Sequence, residues 1–275
     1  FLSHITSTTA LTLPAESYIA DQCESVDVEA IHQAREFVFN QLATQLRDDF
    51  AAVYETHHFE GEYQFNAEHM ARRSLKNLCL AYLLDTGEQR EIDRCLQQLD
   101  TARNMTDSLA ALSSLAQHDL PQRQPQLDRF YEKWQHDTQV VDKWFAIQAT
   151  SSLPDTLDRV RALLGHPAFS LRNPNKVRSL IGAFSAGNPV RFHAADGAGY
   201  RFLADRVLEL DPMNPQVAAR LVRGASTAPR PTATAETLSA IEVLDAPTPS
   251  GTWSPPRDRS PAQRVPLREA ARHPP

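Results

Sequence analysis

Apolar residues recur along this chain at spacings of three and four from about residue 15 to residue 222, the period of helices that bury one face. Between Asp27 and Tyr54 the recurring positions are Phe39, Leu42, Leu46, Phe50 and Val53, which predicts one long helix. A second is predicted from Ala67 to Leu84, with Leu75, Leu78, Cys79 and Tyr82 inside. Its stop is Asp85-Thr86-Gly87, glycine standing where a left-handed cap is usual. Asn104 opens a third, with Met105, Leu109, Leu112 and Ala116 on one face and Pro121 beyond its end. Further stripes are Leu127, Phe130, Tyr131 and Trp134; Val141, Trp144 and Phe145; and Leu157, Val160 and Leu164, closed by Gly165-His166-Pro167.

Two later helices start at Asn-Pro. Asn173 and Asn214 each offer a side-chain oxygen to an orphan backbone N–H, and Pro174 and Pro215 take a position that needs no donor. Behind the first start, Val177, Leu180, Ile181 and Phe184 form a stripe. Gly197-Ala198-Gly199 reads as a turn feeding a helix from Tyr200 to Leu210; no strand precedes it, as a phosphate-binding loop would require. Strand-type alternation is confined to Leu11-Thr12-Leu13. The predicted fold class is therefore all-α, a superhelical array of antiparallel helix hairpins. No clean internal repeat supports a named repeat family.

The pattern stops near Val222. Residues 223–275 form a Pro/Ala/Arg-rich tail, and from residue 225 onward it holds ten of the nineteen prolines and no Lys, Phe or Tyr. Too little apolar mass is present there to offset ordering entropy, so the tail is expected to be disordered, Glu236 to Leu244 being its one plausible helical fragment. The formal net charge of −6 argues against a nucleic-acid or anionic-membrane partner. No apolar run approaches the roughly 20 residues of a membrane span, and Phe1-Leu2-Ser3-His4-Ile5 lacks the features of a secretion signal. Cys23, Cys79 and Cys95 read as reduced structural thiols of a cytosolic protein.

Chemistry is scarce in the pattern. None of the ten histidines has another four residues away, so a helical zinc pair is absent. His57-His58 with Glu60 and Glu62 is the nearest thing to a metal cluster and reads as a polar helix end. There is no Gly-x-Ser-x-Gly, phosphate loop or Cys-x-x-Cys. His193 can pair with Asp196, but no nucleophile accompanies them. Trp134 and Trp144 read as core, and Arg178 and Arg220 as helix cations that face a cleft or solvent.

Several blocks nevertheless resemble a known family. Lys76-Asn77-Leu78-Cys79-Leu80, the run Asn104 to Leu112, Asp142-Lys143-Trp144-Phe145, the run Asn173 to Phe184 and Phe192 to Gly197 are similar, in order, to the C-terminal helical domain of bacterial aminopeptidase N. The resemblance spans about Ala10 to Val222. It implies an N-terminally truncated helical domain at residues 1–222 of a cytoplasmic zinc metallopeptidase that removes N-terminal residues from peptides. The family's zinc motif and its Gly-x-Met-Glu-Asn segment belong to a catalytic domain and do not occur here. This chain is thus expected to hold no zinc, to be inactive alone and to act as a non-catalytic cap over the catalytic chamber. Its partners would be that catalytic domain and the peptide substrate, with Arg178 and Arg220 as the substrate-binding positions. Where the family continues with helices, residues 223–275 diverge abruptly, as a reading-frame change would produce, and apolar faces are expected to be left uncovered. On pattern alone, a free-standing helical scaffold that binds protein partners is an alternative.

Overall fold

A computed structural model describes residues 8–58 and 63–226. Its helices are α1 (Glu16–Ala20), α2 (Val28–Gln45), α3 (Arg47–His57), α4 (Ala67–Asp85), α5 (Gln89–Thr101), α6 (Met105–Ala116), α7 (Arg123–Trp134) and α8 (Thr138–Ala149). They continue with α9 (Thr156–Leu163), α10 (Pro174–Val177), a π-turn at Arg178–Gly182, α11 (Ala183–Gly187), α12 (Pro189–Phe192), α13 (Ala198–Leu210) and α14 (Pro215–Ser226). No strand is found among the described residues, in accord with the predicted all-α array. The expected disordered segment lies, from residue 227 onward, outside them.

The starts are chemical. Asp27, Asn66, Asn104, Asn173, Asn188 and Asn214 each accept a hydrogen bond from a first-turn backbone N–H, at 2.9 to 3.3 Å. Each satisfies one of the donors a helix leaves open. Gly87, at φ 70°, supplies the left-handed stop after α4.

Three expectations are corrected. Residues 8–11 are helical, so the alternation at Leu11-Thr12-Leu13 is no strand. The single helix expected from Asp27 to Tyr54 is two, because Leu46 leaves helical geometry at φ −107°, ψ 16°. No Gly or Pro marks that break; Arg47 pairs there with Asp48 and with Glu88 at the start of α5. Helix α5 lies within the stretch read as helical but was assigned no stripe of its own, although Ile92, Cys95, Leu96 and Leu99 fall at helical spacing. The last helix runs past Val222 to Ser226.

The core has two clusters. One gathers Phe50, Tyr54, Leu75, Leu80, Tyr82, Leu83 and their neighbours from the first half. The other gathers Trp144, Phe145, Leu180, Ile181, Phe184, Phe192 and Leu203 from the second. Helix α6 joins them: Ala111 and Leu115 point into the first cluster and Leu112 into the second. Since successive residues project about 100° apart on a helix, one rod can feed both. Helix α12 returns to approach α2, so the two ends of the array face each other across a groove.

Candidate functional site

Arg178 stands on the π-turn. Val177, Leu180, Ile181 and Phe184 are fully buried around it, and the Ala183 N–H reaches back five residues to the Arg178 carbonyl. Such a bulge inserts a residue into the helical register and often marks functional positions. The turn is anchored from below by Lys176, whose Nζ pairs with Asp142 Oδ1 at 2.7 Å and donates to the Thr138 carbonyl at 3.2 Å. Gly182 lies under α14: a Cβ there would sit 3.6 Å from Leu221 Cδ2 and 3.7 Å from Arg178 Cγ. The stem of Arg178 therefore lies beside the crossing with the helix that carries Arg220. Ala218, Leu221 and Val222 are buried, which leaves Arg220 on the outer face. Both guanidiniums are exposed, and neither makes an ion pair or hydrogen bond with a described residue. Two unmatched planar forks on packed, rigid elements suit an incoming carboxylate or carbonyl.

The groove between α2 and α12 has a volume of about 660 Å3 and holds imidazole–carboxylate pairs that the sequence analysis did not single out. His32 Nδ1 lies 2.8 Å from Glu16 Oε1. His118 Nε2 lies 3.7 Å from Asp85 Oδ1, and its Nδ1 is 2.9 Å from the Ser114 carbonyl oxygen. Burial works against a charge on His118, but Asp85 and the Ser114 carbonyl outweigh it and raise its pKa above the ordinary 6.5. With acceptors at both nitrogens the ring is held as a donor, the wrong state for a general base. No periodicity in the sequence signals these pairs; the return of α12 against α2 brings their helices to one groove.

His193 does not pair with Asp196. Its Nδ1 meets the Tyr200 hydroxyl at 2.6 Å, while Asp196 caps the Ala198 N–H. Burial lowers the His193 pKa to about 4, so the ring is neutral. Trp144 is core, its indole N–H donating to the Leu127 carbonyl, and Trp134 packs partly buried against the same cluster. Burial pushes the Cys79 thiol up to about 11 and the Cys95 thiol up to about 12, which leaves both unreactive as nucleophiles. His57 is half-buried and His58 exposed, and Glu60 and Glu62 lie outside the described residues. Among the described residues no group of three His, Cys, Asp or Glu side chains is placed to hold a metal ion. No helix among them is long and apolar enough to cross a membrane.

Comparison with known proteins gives the family. A family profile described as a domain of unknown function (DUF3458_C), ARM repeats, matches residues 3–239. Against the expectation of no named repeat family, the repeat exists as stacked helices; helix lengths from 4 to 19 residues blur it in the sequence. Aminopeptidase N of Escherichia coli is 43% identical over 213 residues, 77% of this chain and 24% of the relative. Its counterpart in Haemophilus influenzae is 43% identical over 216 residues, 78% of this chain and 24% of the relative. A crystal structure of Legionella pneumophila aminopeptidase A in complex with aspartic acid superposes with a TM-score of 0.78 at 30% identity, covering 86% of this chain and 29% of that one. The chain spans about a quarter of the length of these curated relatives. Collinear identity and shared helical architecture agree: the chain belongs to the DUF3458_C ARM-repeat family, the helical domain of aminopeptidase N-type proteins.

Proposed function

We propose that this domain is the non-catalytic cap of a cytoplasmic, zinc-dependent aminopeptidase N, closing over the chamber in which a separate catalytic domain removes N-terminal residues from peptides. In this reading zinc belongs to the catalytic domain, and the cap shapes which peptides enter and how far. Arg178 and Arg220 hold the peptide through its terminal carboxylate or a backbone carbonyl. The observation that carries the reading is the pair of exposed guanidiniums that pair with no described residue, on two packed elements, one of them a π-turn.

The partner surface in this reading is apolar. Phe37 is 65% exposed and Val38 43%. Beside Val38 runs a groove of about 470 Å3 lined mainly by Leu13, Pro14, Ile19, Ala30, Ile31 and Ala34. A face of this kind is buried by a protein neighbour, here the catalytic domain. The same face would serve a free-standing scaffold. A gene encoding His-Glu-x-x-His within a few hundred residues upstream supports the cap; a start codon directly before Phe1 supports the scaffold.

The test is Arg178→Ala in the polypeptide that also carries the catalytic domain. KM for oligopeptides is expected to rise about tenfold, the loss of about 1.4 kcal/mol of binding, with kcat on a small alanyl chromogenic substrate unchanged. Unchanged peptide affinity would remove the assignment.

A further inference from the structure

Two residues before Arg178, Lys176 points the opposite way. Residues two apart on a helix project about 200° from each other, and here Arg178 is exposed while Lys176 is buried, at 5% exposure. The Lys176 ammonium lies along one face of α8, where Thr138, Asp142 and Phe145 fall at i, i+4 and i+7. Its Nζ is 2.7 Å from Asp142 Oδ1, 3.2 Å from the Thr138 carbonyl oxygen and 5.6 Å from the centre of the Phe145 ring. The Lys176 carbonyl, in turn, accepts a hydrogen bond from Ser179 Oγ inside the π-turn at 3.1 Å. One residue thus ties α8 to the turn through both its side chain and its backbone.

Such a pair is a poor source of stability. Taking an ammonium and a carboxylate out of water costs about what their attraction returns, so well-packed apolar side chains would hold α8 and α10 together as firmly. What the pair adds is direction. Burial of Val177, Leu180 and Ile181 presses the segment onto the core, but apolar burial is non-directional and leaves rotation about the axis soft. A charged contact at 2.7 Å does not. Rotation matters here because the π-turn holds one residue more than an α-turn. Rewinding it would turn the residues before it by about 100°, and Arg178, at its first position, would swing with them. A guanidinium grips a carboxylate through two parallel N–H···O bonds, so its aim counts as much as its charge.

We propose that Lys176 and Asp142 are positioning residues for Arg178: their buried pair fixes the rotation of α10 as it enters the π-turn, and so the direction in which the guanidinium meets a peptide. Neither residue touches the peptide. The inference rests on the reading of Arg178 as a peptide-binding residue, and the two fail in different ways.

The test uses the polypeptide that also carries the catalytic domain. Asp142→Asn keeps the side-chain shape and removes the charge; KM for oligopeptides is expected to rise about fivefold, with none of the change in kcat for the small alanyl substrate. In an Arg178→Ala background the same substitution is expected to add nothing, because both changes act through one contact. Lys176→Met with Asp142→Leu removes both charges, so it is expected to recover the melting temperature that Asp142→Asn loses while leaving KM raised. A pair that served stability alone would not separate the two. Arg161→Gln, at an exposed arginine paired with Asp158, is expected to change neither constant. In the 275-residue chain, hydrogen exchange at the Ala183 amide, which bonds the Arg178 carbonyl, is expected to quicken in Asp142→Asn, and exchange at Leu80 is not. A raised KM in Arg178→Ala but not in Asp142→Asn would overturn the positioning role and leave the peptide reading standing. Unchanged KM in both would remove that reading and the positioning role with it. An equal rise in both backgrounds, recovery of KM in the apolar double variant, or unaltered exchange at Ala183 would also overturn the proposal.

Discussion

Glycine and histidine carry the sharpest tests at the residue scale. A Cβ on Gly199 would lie 2.2 Å from the Phe192 carbonyl oxygen, a backbone atom that cannot swing aside, so α13 sits against α12 only because that Cβ is missing. Gly199→Ala is expected to cost about 3 kcal/mol, whereas Gly87→Ala, strained by φ 70° but with open space around it, is expected to cost about 1 kcal/mol. Urea denaturation of the two variants gives the comparison, and equal losses would contradict it. His193 and His118 work in opposite directions. Burial lowers the His193 pKa to about 4, so the folded state binds fewer protons than the unfolded chain between pH 6.5 and 4. Stability from this residue is fully present above pH 6.5 and falls by roughly 3 kcal/mol as the pH drops to 4. His118 is raised above 6.5 despite its burial, through Asp85 and Ser114; its contribution is present below pH 6.5 and is lost as the pH rises through the folded value. His193→Gln should flatten the acid side of the stability profile and His118→Gln the alkaline side. Profiles unaltered by both changes would remove this account.

At the scale of elements, α6 is the joint of the molecule. Its N-terminus is fixed by Asn104 and by the buried Lys76–Asp107 pair, with Gln98 bridging Asn77 and the Asp107 carbonyl and accepting from the Tyr54 hydroxyl. Burial disfavours the Asp107 carboxylate, but Lys76, Asn104 and Asn77 outweigh it and hold its pKa below the ordinary value. A network of this kind locates a helix end more than it stabilises the fold, because desolvation offsets the Coulomb gain. The apolar side of α6 couples the clusters through Leu112, fully buried against the second. Leu112→Ala is expected to cost 2–5 kcal/mol and to lower one shared transition. If calorimetry instead resolved two transitions, the halves would be folding independently and α6 would not be a joint. The π-turn belongs to this scale too. Its stripe of Val177, Leu180, Ile181 and Phe184 is legible as a helix, yet the wider register at Arg178–Gly182 is not.

For the whole molecule, the exposed apolar surface on α1 and α2 is the property with consequences. Tyr18, Phe37 and Val38 are exposed next to an apolar groove, and such patches bind partners or each other. The isolated chain is expected to bind a hydrophobic dye while keeping a cooperative melt, and Phe37→Glu is expected to reduce the dye signal without shifting the melting temperature. A chain that binds no dye would remove this face as the surface for the catalytic domain.

Helix periods, caps and stops are short-range chemistry, so the sequence by itself determined the all-α class. It also determined the starts at Asn104, Asn173 and Asn214, the Gly87 stop and the buried stripes. The resemblance added the family. What the chain could not reveal locally depends on residues distant in sequence. The break at Leu46 has no Gly or Pro to announce it and coincides with Arg47 reaching Glu88. His193 takes Tyr200 rather than the nearer Asp196, because α13 folds back on Phe192. His32 meets Glu16 only once α1 packs on α2, and His118 meets Asp85 only once α4 and α6 are stacked. Local propensity chooses the rods; their packing decides which polar groups are left to face one another.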